Sequence, residues 1–311
     1  MTRAKTLPLG IDVGRLNTRV ALLELDADDR PRLVAVAVRS TGDDAGSAIG
    51  EALGELRTRE RRCVLALGTD TATLQTATFP PLGRRERERA ARFEAARRLS
   101  YPLSVAEIRV ASIDAARCVI GVARRDAIQS RVRAARHAGL RPLAIDDAGL
   151  ALLRAFPTAD AIVDVGDGGT ALVVRDEPIP AVRRFPIGGT AFTAAVADAL
   201  GLDVALAEQR KRTLGMAGAG EHVCNALVEH VASAIVEARA AARSEIRTIA
   251  LVGNGSRLPG FAEALERAVA IPTRHGSLAS EASWGLPADV VRAASPDWGL
   301  AFGLSLWTLA A

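Results

Sequence analysis

The sequence predicts an α/β protein of two lobes, and three observations carry that expectation. At 311 residues the chain is long enough for two lobes, each with its own buried core. The element Asp-Val-Gly-x-x-x-Thr occurs twice, at 12–18 and again at 164–170. Each copy also lies within three short apolar runs joined by turns, the pattern of three consecutive strands. The copies align without a gap: Asp12-Val13-Gly14 matches Asp164-Val165-Gly166, and Thr18 stands to Asp12 as Thr170 stands to Asp164. An ancient internal duplication explains this.

Taken in order, residues 9–13, 19–25 and 32–38 read as the first three strands, and helical spacing of Ala, Ile and Leu predicts a helix over 44–57. Strands at 63–67 and 73–79 follow, the second ended by Pro80-Pro81, then an Arg/Glu-rich helix over 84–99. Strands at 107–113 and 118–122 lead to a helix over 127–138 that Gly139 stops. A strand at 143–145 and a short helix at 148–155 complete the first half. The second half repeats the opening with strands at 161–165, 170–175 and 181–185. Helices are expected over 190–200, 204–214 and 221–243, then a strand at 249–252, a helix over 260–269 and an apolar closing helix over 298–311.

Composition narrows the function class. Hydrophobic residues make up 49% and charged residues 24%, the balance of a globular protein. The net charge of +4 is small, and basic residues alternate with acidic ones, so no nucleic-acid-binding face is expected. The Arg/Glu helix reads first as a solvated surface and second as a partner-binding one. Cys63, Cys118 and Cys224 are far apart and lack metal-site spacing, which suits reduced thiols in a cytoplasmic protein. The first eight residues are too short and polar for a signal peptide, and no apolar run reaches the ~18–20 residues that span a bilayer.

The repeated turn suits phosphate binding. Glycines at 14, 166, 168 and 169 let backbone approach an anion, and turn N–H groups can point at its oxygens. Asn17, Thr18 and Thr170 are candidate polar contacts, and Asp12 and Asp164 are candidate carboxylates for Mg²⁺. Each turn leads into a strand, which excludes a P-loop and a dinucleotide fingerprint, since both open a helix. A third turn, Gly253-Asn254-Gly255, lies between a strand and a helix and offers a flat surface for a purine.

The order of these elements resembles the actin-like ATPase superfamily, whose ribonuclease H-like fold has two lobes. The resemblance makes 12–18 and 164–170 the two phosphate loops and 253–260 the adenosine motif, and it brings ATP as the expected cofactor with Mg²⁺. Ala207-Glu208-Gln209-Arg210-Lys211 is similar to the Ala-Glu-x-x-Lys helix of bacterial members, which makes Glu208 and Lys211 expected nucleoside contacts. Thr78-Phe79-Pro80-Pro81, the Ala138-Gly139-Leu140-Arg141-Pro142 ending, Ile145-Asp146 and Phe185-Pro186-Ile187-Gly188-Gly189 extend the resemblance to the PilM family of type IV pilus assembly proteins and its relative FtsA. It implies a small inserted α+β subdomain at 58–142, a first lobe of 1–57, 143–160 and 296–311, and a second lobe of 161–295.

The same resemblance implies a scaffold that docks the N-terminal cytoplasmic tail of a PilN-like inner-membrane protein and meets the membrane only through that partner. An FtsA-like filament, with self-association, is the alternative. A sugar-kinase-type phosphotransferase is the other, with Asp146 or Asp147 as its base. Arg15 departs from the small polar residue usual in the first phosphate loop; it adds a phosphate contact or fills the site.

Overall fold

A computed structural model describes residues 5–241, 245–278, 283–284 and 288–309. The last residues of the helix expected to end at 243, and the final two of the closing helix, lie outside them.

Within these residues the first lobe opens with β1 (Lys5–Thr6), β2 (Leu9–Val13), β3 (Asn17–Leu25), β4 (Pro31–Ser40) and α1 (Ala45–Leu56). Asp44 caps α1, its carboxylate accepting from the Gly46 and Ser47 amides at 2.9 and 3.2 Å. Next come β5 (Arg62–Leu67), β6 (Ala72–Thr78), α2 (Arg84–Arg98), β7 (Ala106–Ser112), β8 (Arg117–Arg124), α3 (Arg125–His137), β9 (Arg141–Asp147) and α4 (Ala148–Ala155). The second half contains β10 (Ala161–Val165), β11 (Thr170–Val174), β12 (Ala181–Phe185), α5 (Gly189–Leu200), α6 (Val204–Leu214), α7 (Glu221–Ala241), β13 (Ile249–Val252), α8 (Phe261–Val269), β14 (Thr273–His275), β15 (Ser283–Trp284) and α9 (Ala288–Ser305).

The two large sheets share one strand order. The five strands β4-β3-β2-β5-β9 of the seven-stranded first sheet, which β15 and β1 extend, match the second, β12-β11-β10-β13-β14. In each, the first three strands are antiparallel neighbours and the last two join in parallel. A repeat visible as seven residues of sequence is therefore a repeat of a whole five-stranded layer.

Helices α4 and α9 lie between the sheets. Leu23 and Leu33 of the first sheet and Ile162, Val173 and Val252 of the second join Leu152, Phe156, Ala301 and Phe302 in one buried cluster, so the lobes share a core layer. On the outer face of the first sheet Ile49, Ala52, Ala135 and Leu140 pack against Leu9, Ile11 and Leu65. On the outer face of the second, Phe192, Leu227, Val231 and Leu265 pack against Val163, Val165 and Leu172.

The inserted unit is a three-stranded sheet, β6-β8-β7, covered by α2. Ala91 and Ala95 are the buried residues of α2, and its charged face carries pairs such as Arg98–Glu94 at 3.0 Å. The strand pairing gives this unit narrower bounds than 58–142. β5 pairs with β2 and β9 in the first sheet, and Ala135 of α3 belongs to the first-lobe core. The return to the first lobe also precedes residue 296: β15 pairs with β4, and the closing helix starts at Ala288 and runs through Pro296. Cys63, Cys118 and Cys224 are all buried free thiols. No single helix among the described residues is long and apolar enough to cross a membrane.

Candidate functional site

The three glycine turns meet in one cleft of about 1810 Å³ between the lobes, at the ends of β2, β10 and β13. The two phosphate-type turns are built alike. In the first, the Gly14 amide donates to the Asn17 carbonyl at 3.0 Å; in the second, Gly166 donates to Gly169 at 2.9 Å. The turn itself demands both glycines, because a Cβ on Gly14 or Gly166 would stand 2.9 or 3.1 Å from the carbonyl oxygen that closes it. Gly253, at φ +78, fits its turn against the second: a Cβ there would meet Val165 O at 2.5 Å and Asp164 Oδ1 at 2.6 Å.

Asp12 and Asp164 end β2 and β10 at the bottom of the cleft. Burial pushes the Asp12 carboxyl up, against the opposing charges of Arg19 and Arg131. Burial, with the nearby charge of Asp12, pushes Asp164 up to about 6, although Arg19 pulls it down. Two half-buried carboxylates, the charge of one felt at the other, face the cleft with Arg19 and Arg131 as their basic neighbours. Among the described residues no three His, Cys, Asp or Glu gather as a metal centre. Mg²⁺ is ordinarily held by one or two carboxylates together with substrate phosphates and water, so this donor set fits Mg²⁺ arriving on a nucleotide.

Some predicted contacts are spent inside the protein. Thr18 is fully buried and bonds to Thr41 Oγ1 at 3.0 Å, while Thr41 donates to the Gly14 carbonyl at 2.8 Å. Thr170 donates to the Ile187 carbonyl at 2.7 Å. Both hydroxyls therefore brace their turns; Thr170 also lines the cleft, and Thr18 does not. Lys211 is likewise buried, its ammonium donating to Gly189 O, Thr193 Oγ1 and Glu208 Oε2. It fixes α6 against α5 and holds Glu208 in place. Burial alone would raise the Glu208 carboxyl, but hydrogen bonds from Lys211, Thr193 and Arg212 outweigh it and bring it to about 2.

Other residues of the site escaped the sequence reading. Arg19 lies opposite Asp12 in the β2–β3 register, with its guanidinium 3.8 Å from that carboxylate. In the amide orientation that satisfies its neighbours, Asn254 accepts from Arg19 Nη2 at 2.8 Å and donates to both Asp297 oxygens at 3.0 and 2.8 Å. Arg257 also reaches Asp297, at 3.1 Å. The adenosine-type turn is thereby tied to β3 and α9. Arg131 of α3 donates to the carbonyls of Val13 and Ala66, next to Asp12. Register alone makes Arg19 discoverable, since the turn length sets which residue faces Asp12. Arg131 and Asp297 come from helices far away in sequence and carry no local signal.

The structure offers little to a phosphotransferase base. Asp146 is paired with Arg154, and Asp147 caps α4 by accepting from the Leu150 amide at 3.0 Å. Neither lines the cleft.

Residues 42–309 match the family model of the type IV pilus assembly protein PilM. Similar solved structures include a PilM-PilN type IV pilus biogenesis complex, at 25% identity and TM-score 0.84, covering 96% of this chain and 98% of that one. They also include the ethanolamine utilization protein EutJ from Carboxydothermus hydrogenoformans, at 17% identity and TM-score 0.60 over 97% and 90% of the two chains. A non-polymerising MamK variant bound to AMPPNP matches at 12% identity and TM-score 0.52 over 98% and 99%. A comparison with curated proteins finds no match. The fold is the actin-like ATPase fold, as the order of turns and strands led one to expect.

Proposed function

Since the chain belongs to the PilM family of type IV pilus assembly proteins, we propose that it is a pilus-assembly scaffold that binds ATP with Mg²⁺ between its lobes. We propose also that it docks the N-terminal cytoplasmic tail of a PilN-like inner-membrane protein and reaches the membrane through that partner. The observation that carries the nucleotide reading is the convergence of three glycine turns on the half-buried pair Asp12 and Asp164. Mg²⁺ would supply the positive charge that this pair and the phosphates share. Asp12 and Asp164 would hold the ion, the backbone of 14–17 and 166–169 would face the phosphates, and Gly253–Gly255 with Glu208 would border the nucleoside.

The partner reading draws on the similar PilM-PilN complex and on how the inserted unit joins the cleft. The loop of Gly68, Thr69, Asp70 and Thr71, which leads from β5 into that unit, also lines the cleft. Arg131 connects α3, just after the unit, to the carbonyls beside Asp12. A tail in the groove between the inserted unit and the first lobe would thus sit one layer from the nucleotide. An extended tail binds such a groove through a strand edge or apolar pockets. Titrating the protein into a fluorescent PilN-like tail peptide, with and without Mg·ATP, tests this by anisotropy. Saturable binding is expected; a flat trace in both conditions contradicts the docking reading.

A further inference from the structure

The first phosphate-type turn reaches across to the second. Arg15 Nε stands 2.9 Å from Asp167 Oδ2, which joins the β2–β3 turn of one lobe to the β10–β11 turn of the other. Resting on the nucleotide reading above, we propose that this pair is a cross-cleft switch that lets the site discriminate a nucleoside triphosphate from the diphosphate. Arg15 leaves Asp167 and pairs with the terminal phosphate.

Four observations support the exchange. The two ends differ in freedom: the Arg15 side chain is 67% exposed, that of Asp167 only 19%. Asp167 is fixed, because Oδ1 accepts from Thr190 Oγ1 at 2.7 Å and its carbonyl accepts from the Thr190 amide at 3.0 Å. The contact is an ion pair without an aligned hydrogen bond, so Oδ2 is left without a donor. The exposed arginine end, with no aligned hydrogen bond, is therefore held loosely by a carboxylate oxygen that is itself buried. Finally, Gly168 lies beneath the guanidinium, its Cβ position 3.9 Å from Arg15 Nη1, so the turn has no side chain there to pin it.

The charge balance supplies the direction. Of the other basic groups lining the cleft, Lys211 and Arg212 hold Glu208, Arg257 holds Asp297, Arg131 holds two backbone carbonyls and Arg19 faces Asp12 and Asn254; Arg184, exposed on β12, belongs to neither phosphate-type turn. Arg15 is tethered by one misaligned contact and can be released. A phosphate chain entering between the turns meets the negative charge of Asp12, Asp164 and Asp167. A triphosphate carries one more phosphate than a diphosphate, and a guanidinium binds phosphate oxygens bidentately, more strongly than one unaligned carboxylate oxygen. Release also unties the two turns, so occupation by the triphosphate is felt at the contact that spans the lobes.

The test is calorimetry with Mg·ATP and Mg·ADP on the native chain, Arg15→Gln and Asp167→Asn, reading the ratio of the two affinities. In the native chain ATP is expected to bind about tenfold more tightly than ADP, and in Arg15→Gln the ratio should fall to within about twofold, chiefly through weaker ATP binding. Asp167→Asn should tighten ATP binding, because Arg15 no longer has a competing anion. Thermal unfolding without nucleotide checks that Arg15→Gln is folded. If the native chain binds both nucleotides and Arg15→Gln changes both equally or neither, this proposal fails while the nucleotide reading stands. If the native chain binds neither, both fail.

Discussion

At the floor of the cleft, Asp12 and Asp164 are withdrawn from water by their strands, and the cost of that burial, with the charge of Asp12 added at Asp164, is legible in their protonation. The usual Asp value is 3.8, and in the fold Asp164 is raised to about 6. The folded state thus binds a proton more readily than the unfolded chain. The resulting stabilisation is fully present below the unfolded value and is lost as pH rises through about 6. Asp164→Asn, which carries no charge at any pH, should therefore raise the melting temperature of the nucleotide-free protein at about pH 7.5, by an amount that shrinks toward about pH 4. A gain that is independent of pH would show that charge is not what strains this position. The same residue scale shows the limit of sequence. Asp12 and Asp164 were legible because the turn around each is repeated. The commitment of Thr18, Thr170 and Lys211 to internal partners was not, since Thr41, Ile187 and Gly189 reach them through tertiary packing.

Among the elements, α9 sets the geometry. It packs on β2 so closely that a Cβ on Gly10 would overlap the Ala301 carbonyl oxygen, and one on Gly303 would overlap that of Ala151 in α4. Gly10→Ala should destabilise the fold by about 3 kcal/mol, read from urea unfolding, because backbone has to shift to admit it. A change of only a few tenths would mean the helix is looser than the packing indicates. The helix also meets the second lobe, where the Gly253 amide donates to the Pro296 carbonyl at 2.9 Å. In sequence the closing helix was expected only from residue 298, just past Pro296, and proline ordinarily ends or kinks a helix. The helix instead continues through it from Ala288. On the opposite wall, α6 is held by the buried Lys211. Lys211→Met should cost about 3 kcal/mol, because Glu208 and Thr193 lose their shared donor. It should also weaken nucleotide binding, if Glu208 borders the nucleoside; unchanged stability would contradict the bracing role.

Over the whole molecule, the two lobes share one five-strand order, extended by two further strands in the first, and face across a shared pair of helices. The architecture was legible because duplication leaves a sequence period as well as a structural one. The bounds of the inserted unit were less so. β5 precedes the unit in sequence yet belongs to the first sheet, and α3 follows it yet packs against α1. Local pattern reports strands and helices but not which sheet a strand joins. A ligand that touches both halves of such a molecule stabilises the closed arrangement. Mg·ATP at about 100 times its Kd should therefore raise unfolding stability by about 2.7 kcal/mol, visible as a higher melting temperature.

The central claim is that the cleft holds Mg·ATP against Asp12 and Asp164, and titration calorimetry on the native chain beside Asp164→Asn tests it most directly. The variant keeps the shape of the site and is expected to be at least as stable as the native chain, so lost binding cannot be put down to unfolding. The account expects saturable Mg·ATP binding by the native chain and at least about tenfold weaker binding by the variant, an interval of about 1.4 kcal/mol. Equal affinity in the two proteins would contradict it.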